Sequence, residues 1–144
     1  MNSALGDTPE LSKVGYDDLV VDRRYGPFQE TVDAELADRL RDVIGESVPG
    51  ALAPPAVFPV LFLRALRRAM GGIPPGSILG KQELEFHAPV RVGDTVAIET
   101  WVSDKYVRRE RPYATIDFEI RNPDGAVALT GRKIIVWPAL KENA

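Results

Sequence analysis

The chain has no cysteine, and His87 is the single histidine among its 144 residues. The first absence excludes disulfides, thiolate metal sites and a cysteine nucleophile, and it suits a reducing compartment. The second excludes a zinc site built from several histidines, and a Ser-His-Asp triad would have to use His87. No apolar run approaches the roughly 20 residues that span a bilayer. Residues 1–10, MNSALGDTPE, hold neither the basic nor the apolar region of a signal peptide. The expectation is a cytoplasmic protein with no membrane insertion. A formal net charge of −3 gives no electrostatic reason to expect nucleic acid as a partner. What remains is ordinary for one globular domain with a core: 44% hydrophobic and 27% charged residues.

Residues 1–14 are polar and predict a loosely ordered segment, and residues 139–144 a tail. FQETV, at 28–32, alternates in part and reads as a strand. Asp33 suits an N-cap, and Leu36, Leu40, Val43 and Ile44 then recur at helical spacing, with Gly45 to end the helix. A loop rich in proline and glycine, IGESVPGALAPPAVFP, follows. A second helix is predicted over 55–70, apolar nearly all round from Val57 to Leu63 and so buried on most sides. Pro54 or Pro55 fits its first turn, and Gly71-Gly72 and Pro74-Pro75 stop it.

The remainder alternates as strands. ILGKQELEFHA sets Leu84 and Phe86 against Glu83, Glu85 and His87. TVAIETWVS sets Val96, Ile98 and Val102 against Glu99 and Trp101. ATIDFEI puts Ala114, Ile116, Phe118 and Ile120 inside. NPDG is a turn, and the parity of AVALTGRKIIVW slips near Gly131, which predicts a bulge. The architecture implied is one buried helix followed by three long antiparallel strands, with a shorter strand and helix before it. An apolar sheet face must be covered, and the apolar helix is the cover. This α+β class is the hotdog fold, an antiparallel sheet wrapped around one long central helix, here a single domain over 15–138.

Two stretches, APPAVFPVL at the helix start and QELEFHAPVRVGDTV at the strands, resemble the MaoC-like hotdog family. That family includes (R)-specific enoyl-CoA hydratases and 3-hydroxyacyl dehydratases. YDDLVVD and the first helix ending in IGE fit the same pattern. The resemblance implies an acyl thioester of coenzyme A or an acyl carrier protein as substrate, no metal and no redox cofactor. It also implies an aspartate and, about five residues later, a histidine on the loop after the first helix, adding or removing water as acid and base. A backbone N–H at the start of the buried helix would polarise the thioester carbonyl.

This chain departs from that pattern. Glu46 stands at the aspartate position, no histidine follows it in the loop, and the amide position falls on or beside Pro54-Pro55. The pattern resembles the non-catalytic halves of the family's two-part enzymes, where one hotdog unit supplies the acid–base pair and the other helps to form the acyl channel. A homodimer, or a heterodimer with a catalytic hotdog subunit, is the expected assembly.

The catalytic candidates are Glu46 and His87. The substrate-binding candidates are Pro55, Ala56, Val57 and Phe58, which bring apolar surface and free amides, and Arg108 and Arg109 of the KYVRRER stretch, which offer cations to phosphates. Each has a plainer counterpart: a solvated loop carboxylate, a surface imidazole, ordinary core packing, a solvated hairpin tip. Trp101 and Tyr113 lie outward and suit an interface. Two further functional readings stand beside the first. One is a stand-alone hotdog enzyme with altered chemistry, such as an atypical dehydratase, thioesterase or cyclase. The other is a non-catalytic binding or scaffold protein.

Overall fold

Alternating apolar residues build the sheet, and one helix covers the face they make. In strand β3 (Thr95–Arg108), Val96, Ile98 and Val102 are buried; in β4 (Arg111–Arg121), Ala114, Ile116, Phe118 and Ile120 are. This computed structural model describes residues 14–44 and 52–138. With β1 (Arg24–Thr31), β2 (Ile78–Phe86) and β5 (Val127–Val136) the strands form one antiparallel sheet in the order β1-β3-β4-β5-β2. Four strands, not three, follow the central helix, because the stretch from Ile78 to Phe86 pairs with β5. The order leaves β1 and β2 at the two edges.

Helix α1 (Ala34–Ile44) opens on Asp33, whose Oδ1 accepts the Glu35 N–H at 2.8 Å. The central helix α2 (Val57–Met70) starts two residues later than expected. Pro54 and Pro55 form a turn ahead of it, their carbonyls accepting the Val57 and Phe58 amides at 3.0 and 3.2 Å. Pro59 sits at the third helical position, where an amide has no intrahelical acceptor, so it breaks nothing. Burial is narrower than the sequence suggests. Val57, Phe58, Leu61, Phe62, Ala65 and Leu66 make one buried stripe, while Leu63 is half exposed. Gly71, at φ 78°, closes the helix in the left-handed conformation.

Helix α2 packs against β1 and β3. Glu30 of β1 ties down its C-terminal half, receiving Arg68 at 2.9 Å and Arg64 at 3.6 Å. The Arg68 guanidinium also donates to the Gln29 carbonyl and lies 4.8 Å from the Phe28 ring centre. At the core, the Phe62 ring of α2 stacks on Phe118 of β4, with centroids 4.0 Å apart and both residues almost fully buried.

The bulge expected near Gly131 is absent. Both ladders of β5 run in continuous register from Leu129 to Lys133. Leu129, Gly131, Lys133 and Ile135 occupy the inward positions, so parity holds and the inward residues are simply not all apolar. The irregularity lies instead where Ile120 and Arg121 pair Leu129 and Val127. Gly131 is required by Phe118: a Cβ there would overlap the Phe118 ring and crowd Leu84. Lys133 is 7% exposed, and its ammonium lies 4.8 Å from the centre of the Phe62 ring. Burial lowers its pKa from the ordinary lysine value of 10.5.

Two outcomes are expected. Gly131→Ala overpacks the Phe62–Phe118 stack and lowers the unfolding free energy by about 1–3 kcal/mol, read from urea denaturation. Lys133→Met removes a desolvated amine. A lysine whose folded pKa is lowered binds its proton more tightly in the unfolded chain, so it opposes folding most below the folded pKa. That opposition fades as pH rises from the lowered folded pKa toward 10.5, above which it is gone. The variant is therefore more stable than wild type at neutral pH, by on the order of 1 kcal/mol. The gap narrows as the denaturation series moves toward alkaline pH; a gap that stays constant assigns the gain to packing.

Candidate functional site

The segment entering α2 is tied to the sheet before the helix begins. The Ala53 amide bonds the Val90 carbonyl at 2.9 Å, and Leu52 bridges Arg91. This brings Pro55, Ala56, Val57 and Phe58 together beside the C-terminal end of β2, where the Phe58 ring meets Phe86 edge to face at 5.6 Å. The expectation of several free amides is corrected here. The Val57 and Phe58 N–H groups are taken by the proline carbonyls, and Val57 and Phe58 are themselves buried. Ala56, half-buried at the N-cap, is the residue of this turn whose N–H takes no acceptor among the described residues. No acidic residue occupies the first turn of α2 and no side chain caps it. The positive end of its dipole thus faces an apolar rim.

His87 lies at the same end of the sheet but on the opposite face. Its Nε2 shares a hydrogen bond with Thr130 Oγ1 at 3.2 Å and stands 3.8 Å from Glu85. Thr130 pairs Glu119 and Glu85, both on the face away from α2. Arg108 and Arg109 lie at the other end of the sheet, on the turn joining β3 to β4, and both are exposed. They are not brought together with residues 55–58 within one chain. That turn places Arg109 at φ 53° and Glu110 at φ 65°, a left-handed pair without glycine. Lys105, from the same basic stretch, is turned away: its Nζ donates to the Tyr16 carbonyl at 3.1 Å. Glu46 falls outside the described residues.

The outward aromatics have partners within the chain. Arg24 lies 3.6 Å from the Trp101 ring centre, and Tyr113 stacks on Tyr106 at 5.1 Å. Trp101 belongs to a row that crosses the outer face from β1 to β2: Arg24, Trp101, Asp117, Arg132, Glu83. Arg132 grips Asp117 with two bonds of 2.8 and 2.9 Å, and these hold its guanidinium above its ordinary pKa. This row floors an open furrow of about 910 Å³. The furrow lies across the sheet from α2, and its polar groups already answer one another. The face toward α2 is the better candidate for chemistry on an apolar chain.

On that inner face the reading from sequence missed one residue. Lys133 is a largely buried residue whose amine lies beside the Phe62 ring, with no ion pair or hydrogen bond among the described residues. Strict alternation from Leu129 points to it, but the apparent parity slip hid it. No group of histidine, cysteine, aspartate or glutamate residues among the described ones could hold a metal ion.

The comparisons agree with this geometry. The family described as the FAS1-like dehydratase domain region matches residues 32–130, from the end of β1 into β5. Over 63 residues the chain is 40% identical to the (R)-specific enoyl-CoA hydratase of Aeromonas caviae, a stretch covering 44% of this chain. It spans 46% of that relative, about half its length. The solved (R)-hydratase from A. caviae superposes with a TM-score of 0.67 at 25% identity, covering 83% of this chain and 98% of that one. An R-hydratase of Pseudomonas aeruginosa superposes with a TM-score of 0.72 at 20% identity, over 93% and 94% of the two chains. The (3R)-hydroxyacyl-ACP dehydratase complex HadBC of Mycobacterium tuberculosis gives 0.64 at 15% identity, over 78% and 93%. With its five-stranded antiparallel sheet wrapped on α2, the chain belongs to the FAS1-like dehydratase-region family of MaoC-like hotdog proteins.

Proposed function

We propose that this chain is an acyl-thioester-binding hotdog subunit acting in enoyl hydration or 3-hydroxyacyl dehydration, with the acid–base pair supplied by a partner subunit. One observation carries the reading: the chain's sole imidazole, His87, faces away from α2 and is already engaged by Thr130. General acid–base work needs its groups within hydrogen-bond reach of the substrate. The rim of α2 retains what a binding role requires, namely an apolar wall of Phe58 and Phe86 and the Ala56 amide, which is suited to a thioester carbonyl. Pro55, Val57 and Phe58 shape the rim, and Glu46 remains the in-loop carboxylate for any residual chemistry. Arg108 and Arg109, at the far end of the sheet, serve phosphates only through a neighbouring copy. No metal or redox group enters this chemistry.

The two sheet edges differ in a way that supports a partner. The β1 edge is interrupted by Gly26-Pro27, where its register with β3 shifts. β2 is nine residues long, free of proline, and exposes Ile78, Leu79 and Phe86. On the flank of α2, Leu63 is exposed as well. A second hotdog subunit seated along β2 covers these groups and closes the ladder. HadBC of Mycobacterium tuberculosis, a relative in fold, is itself a dehydratase complex.

The test is hydration of medium-chain trans-2-enoyl-CoA, followed by loss of the enoyl absorbance with free thiol measured in parallel. The chain alone is expected to bind the thioester but turn it over about 10²–10⁴-fold more slowly than with a partner carrying aspartate and histidine, the contribution of an acid–base pair. Robust hydration by the chain alone that falls in Glu46→Gln overturns the partner reading. Release of free thiol points to hydrolysis instead. Leu79→Asp on β2 weakens subunit association by about tenfold or more in sedimentation equilibrium, while leaving the fold intact.

A further inference from the structure

Lys133 has no evident structural purpose. It faces α2 from β5, level with Ile116 on β4 and Gln82 on β2. With 7% of its surface exposed, it has no carboxylate, hydroxyl or carbonyl partner among the described residues. The Phe62 ring, 4.8 Å away, offsets only part of the cost of removing an ammonium from water. A core position facing a phenyl ring is ordinarily filled by leucine or isoleucine, and Ile135 two residues on shows that β5 accepts one.

The open side of the molecule lies next to this amine. α2 packs on β1 and β3, whereas on β2 every residue except Leu84 is exposed. Beyond the Phe58–Phe86 contact, the inner face between α2 and β2 is therefore uncovered among the described residues, and Lys133 stands one strand in from that edge. Along β2, Gln82 beside Lys133 is four residues from Phe86, which touches Phe58 at the start of α2. At about 3.3 Å per strand residue the separation is roughly 13 Å. With carbon–carbon bonds of about 1.5 Å, an extended acyl chain of roughly ten carbons covers it.

We propose that Lys133 is the binding residue for a carboxylate at the far end of the acyl chain, and that the substrate class is a medium-chain acyl thioester with a terminal carboxylate. This deepens the acyl-thioester reading above and rests on it. A plain alkyl chain in the same place would bury the ammonium further without neutralising it. A terminal carboxylate pairs with it in a site of low polarity, where such a bond is strong and geometrically demanding. The competing source of the anion is a side chain of a neighbouring subunit, which the experiment separates.

The probes are decanoyl-CoA and the mono-CoA thioester of decanedioic acid, titrated calorimetrically into the full chain at neutral pH. Wild type is expected to bind the carboxylated thioester about tenfold tighter or more. In Lys133→Met the two constants converge, while Arg132→Met, on the outer face, keeps the preference. Equal binding by wild type, or a preference for decanoyl-CoA, overturns the assignment of Lys133 and leaves the acyl-thioester reading standing. Failure to bind either thioester overturns both. Dissociation of an assembled dimer in Lys133→Met without ligand, seen by sedimentation, assigns the anion to the neighbouring subunit and overturns the ligand assignment.

Discussion

The contact between Phe62 and Phe118 sets the terms for everything around it. The two rings lie 4.0 Å apart, almost fully buried, and join α2 to the middle of the sheet. Their closeness demands that position 131 be without a side chain. It also leaves the Phe62 ring able to receive the ammonium of Lys133. A core, a glycine and a buried cation thus follow from one stacking arrangement, and none can be altered without the other two responding.

How far the sequence discloses this depends on how purely each element obeys its period. β3 and β4 place apolar residues at every second position, so their inner faces are legible without coordinates. β5 is as regular in space, but glycine and lysine fill two of its inward positions, and a reader counting apolar residues sees a slip where there is none. The prolines before α2 mislead differently. Proline fits the first turn of a helix and also the turn ahead of it, so composition alone cannot choose. The structure puts Pro54 and Pro55 in the preceding turn, where their carbonyls consume the amides that the sequence leaves free. Helical periodicity also overstates burial: Leu63 is apolar and outside, because none of the described residues covers that side.

The site is less legible than the fold for the same reason that hotdog proteins differ in activity. A family resemblance locates the helix rim, yet the residues that would do chemistry are short-range substitutions within an irregular loop. What the fold adds is a sorting by face. His87, Glu85 and Thr130 belong to the outer surface, as does the Asp117–Arg132 pair. Among the described residues the inner surface carries aromatic rings, the half-buried Ala56 amide and the Lys133 amine, with Thr100 and Gln82 beside them. Position along the strand also separates groups that composition lumps together, since the basic turn at Arg108 and Arg109 sits at the end of the sheet remote from the start of α2.

The grip of Glu30 on Arg64 and Arg68 has a mechanical side. The helix is moored to β1 along one flank and meets β2 at its first turn, where Phe58 touches Phe86. Width on the β2 side therefore depends on the two arginine side chains as well as on that aromatic contact. Shortening the mooring would draw the helix toward β1 and widen the opening; lengthening it would let the helix settle over β2 and shut it. The opening beside β2 is thus set in part from the opposite flank of the helix, where Glu30 holds both arginines.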